Sequence, residues 1–62
     1  MTNSRREQII WNIVNHSFLT VEKIREVFNH FLEIGFDDNG PIDYEELARN
    51  VEQYAHPELF SE

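Results

Sequence analysis

The sequence predicts an all-α fold: one small domain of three helices over residues 1–62. Apolar residues recur at spacings of three and four in three separate stretches, the period of one face of a helix. Between and after those stretches lie residues that start or stop helices, ending in the cluster Asp37-Asp38-Asn39-Gly40-Pro41 and then Pro57. A chain of 62 residues buries only about 60% of the surface it exposes when unfolded, which leaves no room for a second domain.

The first helix is expected over about residues 4–16. Ser4 and Glu7 have the spacing of a capping box, and Ile9, Ile10, Ile13 and Val14 form its apolar stripe, with Trp11 and Asn12 off it. Ser17–Thr20 supplies a break, after which Thr20 can cap a second helix over residues 21–34. Its stripe is Val21, Ile24, Val27, Phe28, Phe31 and Ile34, with Glu22 and Arg25 paired on the outer face. Gly35 is placed to end it. The third helix is expected over residues 43–55, with Asp43 and Glu46 as a capping box and Ile42 and Leu47 as the hydrophobic staple. Tyr44, Leu47, Ala48, Val51, Tyr54 and Ala55 face inward, Glu45 pairs with Arg49, and Pro57 closes the helix. The tail, residues 57–62, is expected to be loose unless Leu59 and Phe60 fold back onto the core or dock on a partner.

Composition narrows the function. The formal net charge is −7, and it is unevenly placed. Residues 1–31 carry four basic and three acidic side chains, a net +1, whereas residues 32–62 carry nine acidic side chains and only Arg49, a net −8. A field of that sign repels phosphate backbones and anionic lipid and favours a cation or a basic protein surface. The absence of cysteine points to a reducing compartment and removes thiolate chemistry. No apolar run exceeds the three residues Ile9–Trp11, so no membrane span is expected and the protein is expected to be cytoplasmic.

Catalytic patterns are missing. His16, His30 and His56 lack the i,i+4 spacing of a zinc pair, and no serine lies in a Gly-x-Ser-x-Gly setting. There is no phosphate-cradling loop followed by lysine, and the neighbouring Glu45 and Glu46 splay apart on a helix. A domain this small does not easily enclose a ligand pocket of about 300 Å³. A non-enzyme is expected.

One segment carries a family pattern. With Gly40 as the obligatory glycine at the sixth loop position, Asp37 and Asn39 fall on the third and fifth, and Pro41 on the seventh, where a backbone carbonyl is used. Ile42 is the apolar eighth residue, Asp43 the ninth and Glu46 the twelfth, while Val27, Phe31, Ile34, Leu47, Val51 and Tyr54 match the flanking apolar spacing. Residues 27–54 thus resemble a single EF-hand, a helix-loop-helix calcium unit. The resemblance implies an EF-hand-like geometry in the second half of the domain and calcium ligands at Asp37, Asn39, Pro41, Asp43 and Glu46. Gly35 stands where the family has its leading Asp, and His30 and Asn50 replace flanking apolar residues. Losing a ligand and a charge implies weak calcium binding at most. Because such units work in pairs, the resemblance further implies a homodimer, or else cover supplied by the first helix.

Two functions from different classes follow. The first is a small acidic regulatory or inhibitory protein that needs no cofactor and binds a basic surface of another protein, including a target that itself binds nucleic acid. Trp11, Leu59 and Phe60 would anchor it and Asp37, Asp38, Glu45 and Glu52 would steer it, while Phe18 and Phe36 also lie outside the stripes. The alternative is the calcium-binding module.

Overall fold

A computed structural model of the chain describes residues 4–60, with the Ser4 side chain outside the description. It contains α1 (Ser4–Asn15), α2 (Val21–Glu33) and α3 (Tyr44–Ala55), followed by a 3-10 turn at Pro57–Leu59. Each helix packs on both of the others. The all-α, three-helix fold is therefore the one that the periodicity predicts. Among the described residues no helix is long and apolar enough to cross a membrane.

The core sits where the stripes meet. Ile9, Ile10 and Ile13 of α1, Ile24, Val27 and Phe28 of α2, and Leu47, Ala48 and Val51 of α3 are all buried. Burying side chains of the Val, Ile or Phe class contributes about 1.5–3 kcal/mol each, which is what holds three short helices together. Leu19 joins this core from the α1–α2 connection, held by a turn in which the Leu19 amide donates to Ser17 Oγ at 3.2 Å. A connection has no periodicity to reveal such a residue.

The caps follow their local sequences. Thr20 Oγ1 accepts from the Lys23 amide at 3.2 Å, and Asp43 Oδ1 accepts from the Glu46 amide at 3.3 Å. At the end of α2 the Gly35 amide donates to Leu32 O at 3.2 Å and the Phe36 amide to Phe31 O at 2.9 Å. That paired closure is a Schellman motif, with Gly35 at φ 108° taking the left-handed position that L side chains avoid. The capping box at Ser4 falls on a side chain outside the described residues.

Several expected details change. Ile34 and Tyr54 are stripe residues by spacing, yet they are 68% and 52% exposed: Ile34 is the C-cap of α2, and Tyr54, one residue from the end of α3, lays only part of its ring on His30 and Phe31. Phe36 moves the other way. It is half-buried and meets Phe28 edge-on with ring centroids 5.8 Å apart, because the Schellman closure turns the chain back onto the core. Arg25 pairs with Glu7 of α1 rather than with Glu22, which ties two helices together instead of decorating one. Lys23 lies 3.9 Å from Glu26, while Glu45 and Arg49 form no ion pair among the described residues. The tail is not wholly loose: the amides of Leu59 and Phe60 donate to His56 O at 3.0 Å and Pro57 O at 3.1 Å. Residues 61 and 62 lie outside the description.

Candidate functional site

The connection from Gly35 to Asp43 is built around one internal turn and two guanidinium groups. Asp37 Oδ1 accepts from the Asn39 amide at 2.9 Å, an Asx-turn that folds the loop over itself. The first turn of α1 lies against this loop. Arg5 donates through Nε to Asp38 O at 2.6 Å and through a terminal nitrogen to Gly40 O at 2.7 Å. Arg6 Nε donates to Asp38 Oδ2 at 2.9 Å.

Asp38 is the one buried acidic residue among the described residues, only 9% exposed. The hydrogen bond from Arg6 holds its carboxyl below the ordinary 3.8, against the opposing pull of burial; the loop's own amide and the positive charges of Arg6 and Arg5 add to the lowering. Asp38 was expected among the acidic side chains that face a partner. Its charge is instead matched inside the fold, so that role does not suit it.

The calcium ligands implied by the EF-hand resemblance meet only in part. Asp37, Pro41, Asp43 and Glu46 line one shallow depression of about 180 Å³ between the loop and α3, and Asn39 lies outside it. Asp37 and Asp43 already accept backbone amides, and Arg5 holds two loop carbonyls. Among the described residues no three carboxylate, histidine or cysteine side chains are grouped as a metal ion requires. The donor set does not fit a calcium ion, which wants six to eight oxygens turned inward. Within the chain, α1 packs on α2 and α3 and reaches the loop through its arginines.

The residues expected to face a partner are spread over the surface. Trp11 on α1 is 51% exposed, and Leu59 and Phe60, past the end of α3, are exposed as well. Glu45 and Glu52 share an open depression with Arg49 and His16 on the outer side of α3. Phe18 is exposed and faces the His56 ring at 6.2 Å.

A second open surface lies along the seam of α2 and α3, where His30 stacks on Tyr54 at 4.8 Å and Phe31 meets the same ring edge-on at 5.8 Å. Spacing alone did not single out this seam, since its apolar residues read as core. Arg5 and Arg6 were visible only as two adjacent cations; their partners lie 32 to 35 residues away.

Comparison of the chain with protein-family models, curated proteins and solved structures finds no match.

Proposed function

We propose that this chain is a small acidic protein-interaction module, a regulatory or inhibitory protein without catalytic activity that binds a basic surface of another protein in the cytoplasm. The observation that carries this reading is how the cations are used. Four of the five basic side chains turn onto the chain itself: Arg5 onto loop carbonyls, Arg6 onto Asp38, Lys23 onto Glu26 and Arg25 onto Glu7. Glu22, Glu33, Asp37, Asp43, Glu45, Glu46 and Glu52 have no cationic partner among the described residues, and all of these but the half-buried Glu52 are exposed. Carboxylates without a cationic partner therefore outnumber the one basic side chain without a contact among the described residues, Arg49, which lies beside Glu45 and Glu52. The same surface exposes Trp11, Phe18, Ile34, Tyr54, Leu59 and Phe60. Apolar anchors with steering charges around them suit protein recognition.

Affinity capture from the lysate of the source cell, at about 0.05 M and about 0.5 M salt, tests this reading. A basic protein should be retained at low salt, released at high salt and retained less by the double variant Glu45→Gln, Glu52→Gln. If the target is itself a nucleic-acid-binding protein, added nucleic acid should displace it. Retention of nothing whose binding depends on salt overturns the proposal.

A further inference from the structure

We infer that the seam between α2 and α3 is a docking groove for a cationic amphipathic helix. This rests on the interaction reading above and seats the partner on the seam rather than on Trp11 and Leu59; Glu45 and Glu52 lie off the seam and act only on its approach.

Three depressions lie in a row along the seam, with the Tyr54 ring between the outer one and the other two. A depression of about 400 Å³ is floored by Phe31, Phe36 and Leu47, with Ile34 on its edge. Phe36, Leu47 and Asn50 also line the smaller depression beside the loop. Toward the other end Phe31 meets Tyr54, which with His30 lines a further depression of about 330 Å³. The helices that form its walls have 13 and 12 residues, so the groove can take about three turns of helix, roughly 18 Å.

Its chemistry selects the occupant. Ile34 and Tyr54 leave large apolar surfaces in water that the fold could have covered. The rim carries Glu26 and Glu33 at one end and Asp37, Asp43 and Glu46 at the other. The one cation there, Lys23, already faces Glu26 at 3.9 Å. An apolar floor between carboxylates fits a segment with one apolar stripe flanked by Lys or Arg, which is an amphipathic helix. A second copy of the chain would set these carboxylates against one another. An added strand would need a sheet edge, and the described residues contain no strand.

The test titrates the full chain with a Leu/Lys peptide of about 14 residues designed as an amphipathic helix. A scrambled peptide of equal charge serves as the control, and both are followed by backbone amide shifts in the presence of a chelator. The designed peptide should bind, shift the amides of residues 30–36, 46–47 and 54, and outbind the scrambled one. Ile34→Ala with Tyr54→Ala should weaken it about tenfold, whereas Trp11→Ala with Leu59→Ala should leave it unchanged. Shift mapping on the unaltered chain guards against loss of fold in the variants.

Shifts centred on Trp11, Leu59 or the outer side of α3 overturn the groove and leave the interaction reading standing, as does equal binding of the scrambled peptide. Binding abolished by the chelator, or a groove filled by self-association in sedimentation, also overturns the groove. If neither peptide binds, the groove fails, and the fate of the wider reading then rests on the salt-dependent capture.

Discussion

A carboxylate enclosed by a fold needs a cation or several donors, and Asp38 has Arg6 on its side chain and Arg5 on its carbonyl. Because the folded state lowers the Asp38 pKa from 3.8, the folded chain holds that proton less tightly than the unfolded chain does. The contribution is complete above the ordinary value and fades as pH falls through the lower, folded-state value. Melting curves of the wild type and Asp38→Asn should therefore differ most above about pH 4 and converge on acidification. A gap that stays constant down to about pH 2 contradicts the assignment.

Gly35 carries a second residue-scale prediction. Nothing lies within 4 Å of a Cβ built there, but φ is 108°. The cost of a side chain is thus conformational rather than steric. Gly35→Asp, the change that would restore a leading loop carboxylate, should cost about 1–2 kcal/mol and lower the melting temperature by about 4–8 °C for each kcal/mol. It should not make the melting temperature respond to calcium. Stabilisation by calcium in that variant shows that the loop can be rebuilt as a cation site.

At the scale of elements, what was legible in the sequence was what is local. Thr20, Gly35 and Asp43 each act within three or four residues, and each caps its helix as its neighbours dictate. Only half of the Asp43 capping box forms, since the described hydrogen bonds include the Asp43 side chain to the Glu46 amide but no return bond from Glu46. Asp43→Ala should accordingly cost about 1 kcal/mol, read as a fall in the midpoint of denaturant unfolding. An unchanged midpoint contradicts the start of α3 at Tyr44. Stripe membership was legible in the middle of each helix and failed at the ends. Ile34 and Tyr54 have the right phase but lie near the ends of their helices and stay exposed, Tyr54 with only one side of its ring against His30 and Phe31. Leu19 and Phe36 have no phase at all and are brought inward by turns.

For the whole molecule, the order of charges along the chain mattered less than their pairing across it. The sequence shows an N-terminal half of net +1 and a C-terminal half of net −8. Folding brings the two together, with Arg5 and Arg6 of α1 clasping the loop before α3. That clasp is a long-range contact, and periodicity and capping rules carry no information about which distant loop an arginine will reach. Its consequence is functional. The loop that resembles a calcium site is held by two guanidinium groups of the same chain, and the carboxylates left over point to solvent. The candidate surface was thus legible in its charge and illegible in its location.

In the proposed function, those remaining carboxylates steer a cationic partner onto exposed apolar anchors. The most direct measurement is the affinity of the chain for its captured basic partner across a salt series, repeated with Glu45→Gln, Glu52→Gln. Affinity should fall steadily as salt rises from about 0.05 to about 0.5 M, with a shallower fall for the variant. Affinity that is independent of salt and unchanged by the two substitutions contradicts it.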